Sequence, residues 1–214
     1  MPDEWRVDLF VDVIFKCPNL DFLLVTKRVP KAREFMEWHF NSDRPFQNVW
    51  FIATTENQAR FDERVPELLK IPAVVHGVSY EPALGPIDFA PWLTRNRWAQ
   101  VQMGAPLTVP VSAAPGVRGL DWIIVGGESN QGERKARPFD LAWARSAIAQ
   151  GRTAKAAVFV KQLGANVIDT TGTPTHWTPN APPMPDRIQR HTFTGKGHDP
   201  AEWPEDLRVQ EWPR

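Results

Sequence analysis

One cysteine, Cys17, is all the thiol this 214-residue chain carries. That excludes an intramolecular disulfide, and any multi-cysteine metal or iron–sulfur site built by this chain alone. Charge of one sign is also missing. Twenty-five Lys and Arg stand against 25 Asp and Glu, for a formal net charge of zero. No electrostatic footprint for nucleic acid or acidic membranes follows from such a balance, although local basic patches are compatible with it. No run approaches the roughly 18 apolar residues of a membrane span. The opening M-P-D-E-W lacks a signal-peptide pattern. These absences predict a cytoplasmic protein with no membrane partner. What is present is 42% hydrophobic and 23% charged residues, with 10 Trp and 21 Pro, the prolines concentrated after Gly164. Such a composition suits one or two globular domains.

The most informative stretch is L-D-W-I-I-V-G-G-E-S, Leu120 to Ser129. Its apolar run, Trp122 to Val125, does not alternate, which predicts a strand covered on both faces. Gly126 and Gly127 then allow a sharp turn or a close approach to a ligand, and Glu128 follows at the exit. The construction recurs. V-W-F-I-A-T-T leads to Glu56, V-V-H-G-V-S-Y to Glu81, F-L-L-V-T to Lys27 and A-V-F-V to Lys161. Between these runs, the pattern predicts helices over Trp5–Phe15, Pro30–Phe40, Gln58–Leu69 and Phe139–Gln150. On the third of these, Arg60, Asp62, Glu63 and Arg64 read as the wet side. On the fourth, Leu141, Trp143 or Ala144, and Ile148 read as the inward side.

Alternation of strands and helices predicts an α/β fold with a parallel sheet. Right-handed crossovers place every strand's C-terminal end on one rim, where α/β folds bind ligands. Lys27, Glu56, Glu81, Glu128 and Lys161 are therefore expected to converge, with Arg28, Asn57, Ser79, Ser129 and Gln162 beside them. A solvated network of Lys–Glu ion pairs is the competing reading of the same pattern. Acid–base chemistry, an ammonium-binding carboxylate or an oxygen-ligated cation would each use such a set. His76 lies in an apolar strand and reads as a satisfied core residue. His176, His191 and His198 lack metal-ligand spacing. Trp50, Trp92, Trp122 and Trp143 read as packing anchors. Residues 86–119 are irregular. From Ala165 the chain reads as a wrap around the sheet, with one helix start at Asp199-Pro200-Ala201-Glu202, where Glu202 would close a capping box.

L-V-T-K-R-V-P, N-V-W-F-I-A-T-T-E-N-Q, V-S-Y-E-P-A-L-G-P-I-D, D-W-I-I-V-G-G-E-S and F-V-K-Q-L-G, in this order, resemble successive motifs of the phage gene product thirty-seven/sixty-eight family. The closing G-H-D-P-A-E-W-P-E-D-L-R-V-Q-E-W-P resembles that family's C-terminal signature. Its members, of uncharacterised function, occur in phages, prophages and bacteria. They usually open with a three-cysteine segment that suggests a radical S-adenosylmethionine-like barrel with an iron–sulfur cluster. This chain lacks that segment. Tyr80 stands where a cysteine is common, and Leu163 where an aromatic is common.

The resemblance implies a partial, incomplete TIM-type barrel of about five parallel strands over residues 1–163. Residues 164–214 would form an irregular tail packed on it. The rim would bind substrate or the amino acid moiety of S-adenosylmethionine in a complete protein. Neither that cofactor nor a cluster is expected in the chain as given unless the missing segment is supplied. A truncated gene start, a second chain and loss of the cluster all account for the gap. Hence a cofactor-free interaction protein and a nonfunctional fragment stand beside the enzyme reading. Strands Phe22–Val25 and Val158–Val160 are expected at the two open edges. They would favour a partner chain or self-association unless the tail, the 86–119 loop or another chain covers them.

Overall fold

A computed structural model of the chain describes residues 3–40, 46–93, 119–171 and 188–213. Its centre is a five-stranded parallel sheet in sequential order, β1 (Phe22–Thr26), β2 (Phe46–Thr54), β3 (Ala73–Tyr80), β4 (Trp122–Gly126) and β6 (Ala157–Gln162). Three helices connect these strands, α2 (Val29–His39), α3 (Gln58–Leu68) and α5 (Leu141–Ala154). Each has a local reason to start where it does. Pro30 occupies the first turn of α2, where its missing N–H costs nothing. Asn57 Oδ1 accepts from Arg60 N–H at 3.1 Å to cap α3, and Asp140 Oδ1 accepts from Ala142 N–H at 2.9 Å to cap α5.

The helices cover one face of the sheet. Alternate strand residues Phe51, Ala53, Val78, Tyr80, Ile123, Val125, Val158 and Val160 share a core with Phe35, Met36, Phe61, Val65, Leu141, Ala144 and Ile148. The other face carries Ile52, Val75, Trp122 and Ile124, flanked by Trp50 and Phe159, and all of these are strand residues. What lies over them is Trp212, whose ring centroid is 4.8 Å from that of Trp122 and 5.5 Å from that of Phe159. The expectation that the apolar runs are covered on both faces thus holds for β4, buried throughout. It fails for β1, where Leu23 is 40% and Val25 55% exposed.

Four further segments differ from the sequence expectations. The N-terminal helix α1 (Asp3–Asp8) widens into a π-helical stretch over Leu9–Ile14, which changes the repeat of its apolar stripe. Phe10 and Ile14 are buried, while Trp5 and Val13 are left outside. The tail contributes two short strands, β7 (Val167–Asp169) and β8 (Gln189–His191). With β5 (Phe139–Asp140) they make a second, three-stranded sheet. Asp199 caps only a 3₁₀ turn, Pro200–Glu202, and Glu202 accepts from Thr194 N–H at 2.8 Å instead of closing a capping box. The arginine read as solvated on α3, Arg64, is buried beside Phe61, Val65 and Leu68. In the 86–119 region the short helix α4 (Ala90–Leu93) forms, and residues 94–118 lie outside the described set, as does His176. No helix among the described residues is long and apolar enough to cross a membrane.

Candidate functional site at the C-terminal rim of the sheet

The segments that follow the strands are laced edge to edge. Leu84 N–H donates to Glu56 O, Ala83 N–H to Gly126 O and Gly127 N–H to Gln162 O, at 2.9 to 3.0 Å. This lacing brings Glu56, Glu81 and Glu128 to the same end of the sheet, each held by a cation. Lys27 Nζ lies 2.6 Å from Glu56 Oε1, and Arg64 donates to Glu56 Oε2 at 2.9 Å and to Thr54 O at 2.6 Å. Lys161 Nζ lies 3.3 Å from Glu81 Oε1, and Ser79 Oγ donates to Glu81 Oε2 at 3.1 Å. Arg137 grips Glu128 through Nε at 2.8 Å and Nη2 at 2.9 Å, the bidentate geometry that suits guanidinium and carboxylate.

Two of these carboxylates are pulled below their ordinary range. Burial pushes Glu56 up, but hydrogen bonds from Lys27 and the backbone, with the charges of Lys27 and Arg64, outweigh it. Glu128 is brought down to about 2, chiefly by the side-chain and backbone hydrogen bonds of Arg137. Both are ionised at neutral pH. Tyr80, beneath the rim, moves the other way, because burial and the charge of Asp140 disfavour its phenolate. Its hydroxyl donates to Gly85 O.

The glycines make close approaches to the protein itself. A Cβ on Gly126 would come within 2.6 Å of Glu81 Oε1, so only glycine leaves that carboxylate its place. One on Gly127 would meet Leu163 O at 2.1 Å. Gln162 Nε2 donates to Gly127 O at 2.8 Å and to Ser129 Oγ at 3.3 Å, bracing the turn. Asn57 is the cap of α3. Arg28 stands apart from the rim glutamates. Thr26 and Arg28 line a cleft on the helix-covered side, while Lys27, between them, reaches Glu56.

Arg64, Arg137 and Thr55 complete the rim and were missed in the sequence. Arg64 repeats at helical spacing with Phe61 and Leu68, the one signal that it faces inward. Thr55 Oγ1 and Arg64 Nε are buried and have no hydrogen-bond partner among the described residues. His76, in β3, donates from Nε2 to Ile71 O at 2.7 Å, an interaction that fixes its tautomer because a carbonyl can only accept. His191 stacks on Phe193. Cys17 lies at the other end of the strands, its carbonyl accepting from Asn48 Nδ2 at 3.2 Å. Among the described residues no group of three or more His, Cys, Asp or Glu is placed to hold a metal ion.

No curated protein and no solved structure matches the chain. Residues 1–203 match the model of a family described as a protein of unknown function (DUF5131), and the chain belongs to that family.

Proposed function

We propose that the sheet is five strands of a (β/α) barrel wall, and that its rim binds the amino acid end of a small zwitterionic ligand. Sequential parallel order and helices on a single face support the barrel reading, since a barrel wall has its helices outside. The observation that carries the ligand reading is the surroundings of Glu56. Its carboxylate, 15% exposed, is capped by a Lys27 side chain 57% exposed, and it adjoins two buried polar atoms without partners among the described residues, on Thr55 and Arg64. Each such atom costs about 1–3 kcal/mol, and groups left in that state concentrate at functional sites. A ligand ammonium would sit on Glu56 or Glu81. Its carboxylate would draw Lys27 or Lys161, which swing on solvated stems.

S-adenosylmethionine, implied by the resemblance to the phage gene product family, has such an end, and the rim residues fit it. When bound, it supplies a sulfonium-activated carbon; Glu56, Glu81, Lys27 and Lys161 orient its amino acid end. The residues do not fit an iron–sulfur cluster, since one cysteine at the opposite end of the strands cannot replace a set of thiolates. Calorimetric titration with S-adenosylhomocysteine, which keeps the amino acid end, and adenosine, which lacks it, tests the reading. S-adenosylhomocysteine should bind at least about tenfold tighter, and Glu56→Gln and Glu81→Gln should each weaken it. Equal affinity for the two ligands, or indifference to both substitutions, overturns it.

The β1 edge favours a second reading, a cofactor-free interaction protein. No described residue pairs with its outer side, and Leu23 and Val25 are exposed there. A second copy or another chain adding a strand would satisfy that edge. Sedimentation velocity over a concentration series tests it, and a monomer throughout, with no retained partner strand, overturns it.

A further inference from the structure

The backbone groups that Val158 and Val160 turn outward from β6 are all met by the C-terminal segment. Val160 N–H donates to Val209 O at 2.8 Å, and Glu211 N–H donates to Val158 O at 2.9 Å. Side chains complete the cover. Val158 N–H donates to Glu211 Oε2 at 3.2 Å, and Gln210 Nε2 donates to Val160 O at 3.4 Å. A strap from Val209 to Glu211 thus closes this stretch of the edge around one antiparallel bridge, Phe159 to Gln210. The strap is lightly held. Trp203 and Leu207 are buried and fix the chain just before it, but within the strap only Val209 is buried. Gln210 and Glu211 are exposed, and Trp212 beyond them is 55% exposed. Segments with few buried contacts and solvent-exposed backbone hydrogen bonds open well before the fold as a whole.

What the strap covers is the complement of what β1 leaves bare. Sequential order sets β1 at one side of the parallel sheet and β6 at the other, and the two strands have five and six residues. A second copy setting its β1 beside a bared β6 would continue the same parallel order. Its N-terminal helix would arrive on the helix-covered face, because Phe10 and Ile14 belong to the core on that face and Phe10 packs on Phe35 of α2. That is where a crossover helix lies between parallel neighbours. Contact between two different patches is heterologous, and it repeats into a closed ring or an open filament. Covering one of the two edges is enough to stop it. The strap covers β6, whereas no described residue pairs with the outer side of β1.

We propose, on the interaction reading of the β1 edge given above, that the C-terminal strap is an autoinhibitory cover. In place, it keeps copies of this chain apart; released, it lets β6 take the β1 strand of a second copy. Trp212 leaves with the strap, so release also uncovers Trp122 and Phe159 on the second face of the sheet. The buried Trp203 and Leu207 keep the released segment tethered, which makes the opening reversible.

The test uses the full chain in sedimentation velocity over a concentration series. The parent protein should stay a monomer. Glu211→Pro with Trp212→Ser removes the N–H that donates to Val158 O and the ring over the second face. This variant should show a weight-average mass raised about twofold or more at the top of the series. A synthetic peptide of residues 205–214, which replaces the strap in trans, should return the variant to monomer with saturable dependence on peptide. Adding Val25→Lys should do the same from the other edge, since a lysine there discourages strand addition. Aggregation of an unfolded variant would respond to neither the peptide nor Val25→Lys, and that outcome overturns the proposal. So does a variant that stays monomeric, or a parent that associates as strongly as the variant. A variant that stays monomeric while β1 takes up a strand of another protein sinks the cover and leaves the interaction reading standing.

Discussion

The two edges of the sheet are built from similar strands and end in different states. At β6 the C-terminal segment runs antiparallel to the edge. Val160 N–H donates to Val209 O at 2.8 Å, Glu211 N–H to Val158 O at 2.9 Å, and Trp122 Nε1 to Glu211 O at 3.0 Å. The edge expected to be open is therefore covered by the chain's own tail, one of the covers the sequence left possible. At β1 nothing among the described residues does the same. An unpaired strand edge is a template for another strand, so any association should begin at β1. The tail's cover depends on a few anchors, Trp203, Leu207 and Val209, all buried.

Those anchors give the sharpest way to break the comparison. Trp203→Ala should cost about 3–5 kcal/mol, the usual range for emptying a buried aromatic site. The indole also loses its hydrogen bond to Gly197 O, now 3.1 Å. A urea melt measures the loss, and a change below about 1 kcal/mol would mean the tail is not structural. Trp212→Ala should cost less, about 1–2 kcal/mol, because the ring is half exposed but packs against Trp122 and edge-on to Phe159. It should raise binding of an apolar dye such as anilinonaphthalene sulfonate, by baring the second face of the sheet.

The sheet was the most legible part of the molecule. Unbroken apolar runs located all five strands because parallel strands packed under helices need them. The edge cover was not legible, since a single antiparallel passage rich in Trp and Pro has no period to detect. β7 and β8, three residues each, are too short to show one. At the rim, the strand ends placed the three glutamates at one end together with Lys27 and Lys161, which hold two of them, but the sequence did not reveal Arg64 and Arg137. Arg64 was hidden by its charge, read as a mark of solvent. Arg28 was grouped with Lys27 by adjacency, although successive residues leaving a strand point to opposite faces.

On the open side, Val25→Lys sharpens the comparison from the other direction. The residue is 55% exposed, so stability should change by no more than about 0.5 kcal/mol. Edge lysines discourage strand addition, and any self-association seen by sedimentation should fall. Persistence of the same association would move the contact away from β1.

The smallest effect separates the two sides by their ion pairs. Near β6, Glu128 is lowered to about 2 from an ordinary 4.5. A carboxylate whose folded pKa is depressed contributes stability that is fully present above its unfolded value and lost as pH falls through the folded one. The Arg137 pair should therefore stabilise the fold above about pH 4.5 and fade towards pH 2. Water screens the pair at the rim, which limits its worth to about 1 kcal/mol or less. Glu128→Gln should lower neutral-pH stability by that small amount, and the gap from the parent protein should close across the acid window. Glu56→Gln, on the β1 side, should show a gap that also closes with acid but is larger at neutral pH. Removing Glu56 leaves buried Arg64 with Thr54 O as its one remaining partner among the described residues. Paired urea melts from neutral pH to pH 3 test this, and a Glu128→Gln gap that widens on acidification would reverse the sign of the linkage.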